Sequence, residues 1–213
     1  LEMLGVSRFE IINGIPDGKF AHKPEPVPQH MKQLAQAVSE GNFHVGFAQD
    51  PDADRVSIAA CVPMRDAAKG VAIGEEYTLA LAAAAVAEQA CVGGYTVSMA
   101  CNQSTSRMIE EVALAHGFPF RRTPVGEINV VEGLQALERE WKRKHHDDTQ
   151  HFAFGGEGGG GVIDPRNQYC RDSLNAMALC LQGLAGFKLG CLLTDAKRPV
   201  NEQLLLDAWC KAA

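Results

Sequence analysis

Asp50-Pro51-Asp52-Ala53-Asp54-Arg55 sets three carboxylates at alternate positions, with a guanidinium directly after them. Carboxylates packed this closely repel one another, and a bound cation removes the repulsion. Ligands that are all oxygen suit a hard cation such as Mg²⁺, which keeps coordination sites for water or phosphate. A calcium loop of the EF-hand type needs Gly at position six and Glu at position twelve, where Arg55 and Cys61 stand here. A phosphatase with an aspartyl nucleophile uses a D-x-D pair, but would leave Asp54 and Arg55 without a role. A plain turn rich in Asp and Pro is the remaining alternative. The preceding His44-Val45-Gly46-Phe47-Ala48 reads as a short buried strand, which puts the acidic cluster at a strand's C-terminal end, where open α/β sheets bind their ligands.

The second chemical feature is Gly155-Gly156-Glu157-Gly158-Gly159-Gly160-Gly161, with six glycines in seven positions. Such a backbone can approach a ligand closely and leaves one carboxylate projecting. A carboxylate accepts hydroxyl hydrogen bonds on both oxygens, which suits a sugar. No Lys-Ser/Thr pair follows at the spacing of a P-loop. A flexible linker is the competing reading, although linkers mix Ser with Gly. Thr123-Pro124-Val125-Gly126-Glu127 is either a further ligand loop or an ordinary turn. His145-His146-Asp147-Asp148 reads as a solvated loop after a basic helix end. Arg171-Asp172 reads as a local ion pair or helix cap, with a sugar-facing role as the alternative.

These loops need elements to hold them. Leu1–Gly5 reads as a helix end, Phe9–Ile12 as a strand and Asn13–Pro28 as a Pro-rich loop. Gln29–Glu40 has helical periodicity, and Val56–Val62 continues the strand pattern after the acidic loop. From Gly74 the expected order is a helix to Gln89, a strand Tyr95–Ala100, and a helix capped by Ser104 or Thr105 and ending at His116. A strand Phe118–Thr123, a helix Val130–Lys144, a strand Phe152–Phe154 and a helix Ser173–Gly186 follow. This alternation predicts α/β units around mostly parallel sheets. The 213 residues, 46% apolar and 22% charged, suffice for one or two domains with a substantial core. A net charge of −6 argues against general nucleic-acid binding. The longest apolar run, Leu79–Ala87, is too short to span a bilayer. The seven cysteines lack metal-type spacing and suit a reduced, cytoplasmic setting. Because the chain opens at Leu1 inside an apparent helix end, the expectation is a piece of a longer protein.

Taken in order, the three loops resemble those of the α-D-phosphohexomutase family of phosphoglucomutases and phosphomannomutases. Asp50–Arg55 resembles the family's magnesium loop. Thr123-Pro124-Val125-Gly126 resembles its third-domain turn, and Gly156–Gly161 its sugar-specificity loop. Ile15–Phe20, Pro24-Glu25-Pro26 and Ser104–Arg107 are lesser matches. Many relatives carry Ser and His where Gly159 and Gly161 stand here, and some have His at the position of Glu127. The chain is nearest to a subgroup with a G-E-G-N-G-G loop. The resemblance implies two three-layer α/β/α mixed-sheet domains, the first incomplete. Residues 1–65 would end domain II, 66–190 would form domain III, and 191–213 would be a tail without assignment. It also implies a phosphosugar mutase that transfers a phosphoryl group between the 1- and 6-positions of a hexose phosphate, through a phosphoserine and a bisphosphorylated sugar. Asp50, Asp52 and Asp54 would hold Mg²⁺, with Arg55 as a catalytic group beside them. Glu157, Gly156, Gly159, Thr123 and Gly126 would bind substrate. The S-H-N-P phosphoserine loop and the R-x-S-G-T phosphate loop do not occur in these residues, so the fragment is expected to be inactive alone. Apolar faces left by absent domains would favour self-association. A non-catalytic domain that binds a sugar phosphate or a partner chain is the alternative from another class, with a metal-dependent phosphatase third.

Overall fold

Helix α2 (Glu76–Gly93) is the centre of the molecule. Its run from Thr78 to Ala87 is buried on every side, as expected for a helix that is apolar all round. It lies between two sheets in a computed structural model that describes residues 6, 8–15, 17–64, 67–145 and 150–194, with backbone alone at 61–64, 67–69 and 186–194.

The first sheet has the order β1 (Val45–Gln49), β2 (Val56–Met64), β3 (Ala67–Ala72), and both pairings are antiparallel. Side chains alternate along β2: Val56 and Ile58 join the core around α2, while Ala59 packs under α1 (Lys32–Glu40) with Met31 and Val38. The second sheet has the order β5 (Phe120–Thr123), β4 (Thr96–Asn102), β6 (His151–Glu157), β7 (Gly161–Ile163). Its first three strands are parallel, and β7 returns antiparallel to β6. Val97, Met99, Cys101 and Phe154 face α2, α3 (Met108–Ala115) and α5 (Ser173–Thr194). Ala100, Ala153 and Ile163 face α4 (Glu127–His145) on the other side. Each sheet therefore lies between helices, in the mixed α/β architecture expected.

Several expectations need correction. Phe9–Ile12 forms no strand; Phe9 and Ile11 are exposed and have no ladder partner. The first sheet is antiparallel rather than mostly parallel, because β1 and β2 turn back on each other through the acidic loop and β3, which the sequence pattern did not reveal, pairs with β2. Strand β1 is consequently an edge strand with half-buried residues rather than a buried one. Pro28 opens a short 3₁₀ turn (Pro28–His30), so α1 starts only at Lys32. The α3 helix is not capped by Ser104 or Thr105, which bind Asn102 instead. Helix α4 begins three residues early, at Glu127, and α5 continues through Gly186 to Thr194. The expected helix end at Leu1–Gly5 and the loop residues 146–149 lie outside the described residues. No helix among those residues is long and apolar enough to cross a membrane.

Candidate active site

Two hairpin tips and the ends of three parallel strands meet at one mouth. The acidic loop Asp50–Arg55 is the tip of the β1–β2 hairpin, between the paired Gln49 and Val56. Gly158–Gly160 is the tip of the β6–β7 hairpin, between the paired Glu157 and Gly161. The amide of Val56 donates to the Gly160 carbonyl at 3.1 Å, which fastens one tip to the other. Thr123, Asn102 and Glu157 are the last residues of the parallel strands β5, β4 and β6. Ligands of open α/β sheets gather at such C-terminal ends.

Within the acidic loop the Asp50 amide donates to the Arg55 carbonyl (3.3 Å) and the Ala53 amide to the Asp50 carbonyl (3.1 Å). Ala53 sits at φ 58°, a left-handed conformation that costs a non-glycine residue about 1–2 kcal/mol. Packing holds it there: Ser173 Oγ at the start of α5 donates to the Ala53 carbonyl (2.6 Å), and Gln49 Nε2 donates to Ser173 Oγ (2.6 Å). The turn brings one oxygen from each of Asp50, Asp52 and Asp54 within 4.8 Å of one another. Asp50 is fully buried and accepts from the Arg55 amide (3.1 Å) and Arg55 Nε (2.6 Å). Burial would raise its pKa, but the Arg55 amide and guanidinium outweigh burial and hold the carboxyl below its usual value. Asp54 goes the other way: burial, helped by the charges of Asp50 and Asp52, outweighs Arg171 and raises it. Asp54 Oδ1 is buried with no hydrogen-bond partner. An orphaned carboxylate oxygen between two other carboxylates is the donor set a hard divalent cation requires.

Arg55 donates to Glu25 Oε1 at 3.0 Å as well. Burial lowers the guanidinium pKa, and its bonds to Glu25 and Asp50 more than restore it. A pocket of about 110 Å³ opens here, lined by Glu25, Pro26, Val27, Arg55, Glu75 and Gly159.

Glu157 is held from two sides. Asn102 Nδ2 donates to its Oε1 (2.6 Å) and Arg171 Nη1 to its Oε2 (3.2 Å). The Asn102 side-chain oxygen Oδ1 accepts from Ser104 Oγ, the Thr105 amide and Thr105 Oγ1, and that hydroxyl accepts from the Gly158 amide at 2.9 Å. Below the loop, Glu76 accepts from the Ser106 amide, and its carboxylate fills the space that a Gly158 side chain would need.

Arg171 reaches furthest. Its Nη2 lies 2.5 Å from Asp54 Oδ2, its amide donates to Glu127 Oε1 at 2.8 Å, and its Nε stands 3.3 Å from Glu127 Oε2, off the line of a hydrogen bond. Asp172 is a separate device: it caps α5 by accepting from the Asn175 amide at 3.0 Å. The cap reading of the pair thus holds for Asp172, while Arg171 pairs with Asp54, Glu127 and Glu157 rather than with Asp172.

The structure brings together Asp50, Asp52, Asp54, Arg55, Gly156, Glu157 and Gly159. Thr123 is buried, with its hydroxyl donating to the Pro124 carbonyl, and Gly126 opens α4. Asn102, Glu76 and Ser173 were not legible as candidate site residues, while Glu127 closed the loop read as either a ligand loop or a turn. Only the position of Asn102 just past the expected strand Tyr95–Ala100 hinted at its place. His145 is stacked on Trp141, away from any cluster of ligands.

Residues 74–204 match the model of phosphoglucomutase/phosphomannomutase alpha/beta/alpha domain III, and residues 1–61 that of domain II. Between them, residues 62–73 hold the rest of β2 and all of β3. A probable phosphoglucosamine mutase of Methanopyrus kandleri is 28% identical over 91% of this chain and 36% of its own length. A second, from Methanococcoides burtonii, is 33% identical over 80% of this chain and 33% of its own length. Among solved structures, a putative phosphomannomutase from Thermus thermophilus shares the fold with a TM-score of 0.55 and 22% identity, over 78% of this chain and 32% of that one. The chain spans about a third of the length of these relatives. The domain III model alone accounts for more than half of the residues, and the chain belongs to the phosphoglucomutase/phosphomannomutase family of α-D-phosphohexomutases.

Proposed function

We propose that these residues are the metal- and sugar-binding part of a phosphosugar mutase that interconverts hexose 1-phosphate and hexose 6-phosphate. The observation that carries this reading is the Arg171 guanidinium, which touches Asp54 of the acidic loop and Glu157 of the glycine loop at once. A cation and a sugar hydroxyl would therefore sit at one mouth. The names of the relatives, phosphoglucosamine mutases among them, support a hexose phosphate as substrate.

Phosphoryl transfer needs positioning and charge neutralisation more than covalent chemistry from side chains. Asp50, Asp52 and Asp54 would hold Mg²⁺, which when bound neutralises charge on a transferring phosphoryl group. Arg55, aimed by Asp50 and Glu25, presents a second positive charge beside it. Glu157 has one fixed donor on each oxygen and keeps further lone pairs for sugar hydroxyls. Gly159 leaves the tip of that loop open, while Gly156 lets β6 and β7 close on each other where a Cβ would meet the Gly161 carbonyl. Thr123, at the end of the neighbouring strand β5, and Gly126, just beyond it, would add to the substrate contacts. The phosphoryl donor is a phosphoserine from outside these residues, so the chain alone is inactive. Residues 1–65 would belong to domain II and 66–190 to domain III of a cytoplasmic enzyme.

The test is Mg²⁺ calorimetry on the chain and on Asp52→Asn, together with incubation of the chain with a hexose 1-phosphate. Asp52 is exposed and makes none of the bonds that hold the loop. Binding that is lost in the variant, without isomerisation, is the expected result. Equal Mg²⁺ heats in both proteins overturn the metal assignment, and turnover by the chain alone overturns its inactivity.

A further inference from the structure

Three carboxylates from three separate elements share one guanidinium. Asp54 comes from the β1–β2 hairpin, Glu157 from the end of β6 and Glu127 from the first turn of α4. The Arg171 side chain is about 24% exposed, and Asp54 and Glu157 are 22% and 14% exposed, so the network is largely withdrawn from solvent. Ion pairs in that setting are screened far less than surface pairs. The guanidinium is a rigid planar fork whose arms are fixed relative to each other, so a shift at one arm is felt at the other. Its root is fixed too. Arg171 pairs with Ile163 in a bridge, its amide is bonded to Glu127, and the next residue caps α5.

We infer that Arg171 is a positioning residue that couples the aspartate triad to Glu157, so that occupation of one site alters the affinity of the other. The inference rests on the proposal that the triad takes a cation and Glu157 a sugar. With Asp54 free, Arg171 divides its charge among three acids. A cation at the triad draws Asp54 toward itself and repels the guanidinium. Arg171 then commits its charge to Glu157 and Glu127, which fixes the Glu157 carboxylate in the orientation that Asn102 also favours. Linkage makes the effect reciprocal: whatever orders Glu157 against Arg171 must tighten the triad by the same factor. Glu127 takes part as the group that aims Arg171, although it touches neither site directly.

The bridge can be tested in chelator, without metal or substrate, on the 213-residue chain. Asp54 and Glu157 are joined through Arg171, so Asp54→Asn, Glu157→Gln and the double variant form a cycle read by chemical denaturation. Losing one acid leaves Arg171 a partner, whereas losing both leaves only Glu127. The double variant should therefore unfold about fivefold more readily than the product of the single effects, a coupling typical of residues in one network. The cycle is repeated in Arg171→Lys and Arg171→Gln. Lysine keeps the charge, but its single ammonium cannot hold both acids in the fork geometry. The coupling should vanish in both backgrounds, and in calorimetry Glu157→Gln should weaken Mg²⁺ binding severalfold in the wild-type background but not in Arg171→Gln, an outcome that a merely structural role would not produce. Additivity within about twofold in the wild-type background overturns the inference, and that cycle stands even if a variant at Arg171 fails to fold. Coupling that persists in either background also overturns it. The Mg²⁺ calorimetry is read separately. An additive cycle with intact, Asp52-dependent Mg²⁺ binding removes the coupling alone, while a clear cycle without such binding removes the metal reading and leaves the bridge.

Discussion

The glycine-rich tip offers two neighbouring positions with opposite expected behaviour, Gly160→Ala and Gly159→Ala. Gly160 has φ +90°, and a methyl group there would run into the backbone of Val56. The positive φ costs alanine about 1–2 kcal/mol. Clearing Val56 stretches or breaks the hydrogen bond from its amide to the Gly160 carbonyl, about 0.5–1.5 kcal/mol more. The lower entropy of the unfolded alanine chain returns about 0.5 kcal/mol. The net loss is about 1–3 kcal/mol, equivalent to a fall of about 2–12 °C in Tm for a chain of this size. A Cβ on Gly159 would instead lie 3.7 Å from Arg55 Cδ and Nη1, in ordinary van der Waals contact, and Gly159 does not occupy the left-handed region. Gly159→Ala should therefore be neutral or stabilised by about 0.4–1 kcal/mol. Thermal melts followed by circular dichroism compare the three proteins. If Gly159→Ala melted at or below Gly160→Ala, the clasp between the two hairpin tips would be wrong.

Two further outcomes follow from the same geometry. Asn102→Ala removes the donor to Glu157 and the acceptor shared by Ser104 and Thr105, and should cost about 2–3 kcal/mol in urea denaturation; a loss below about 0.5 kcal/mol would show that the cluster is not cooperative. His151, whose Nε2 lies 2.8 Å from Ser98 Oγ, has its pKa pushed down to about 4 by burial and, secondarily, by the His145 charge. The unfolded chain then binds the extra proton first, so stability is fully present above about pH 6.5 and is lost as pH falls toward 4. After discounting for the ring's partial exposure the loss is about 1–2 kcal/mol, absent from His151→Gln, and denaturation midpoints for both proteins between pH 7.5 and 4.5 measure it.

Asp50, Asp52, Asp54 and Glu157 were legible as candidate site residues before any fold was known, because charge repulsion and a carboxylate isolated among glycines are properties of the chain itself. Helix positions were largely legible too, since period and breakers act within a few residues. The strand Ala67–Ala72 was not, and neither was the antiparallel turn of the first sheet, because strands are defined by partners distant in sequence. Phe9–Ile12 carries a strand-like pattern and has no partner among the described residues, so the pattern alone could not make it a strand.

Chemical identity at each position, and therefore which groups could meet a cation or a sugar, was determined by the sequence by itself. Which of those groups face one another was decided only by the tertiary structure. Arg171 lies more than a hundred residues from Asp54 along the chain, yet α5 and β7 bring it to that carboxylate. Nothing in its neighbours distinguishes it from an arginine paired with Asp172. The free energy of an ion pair depends on the distance and burial that the whole fold imposes, and local spacing encodes neither.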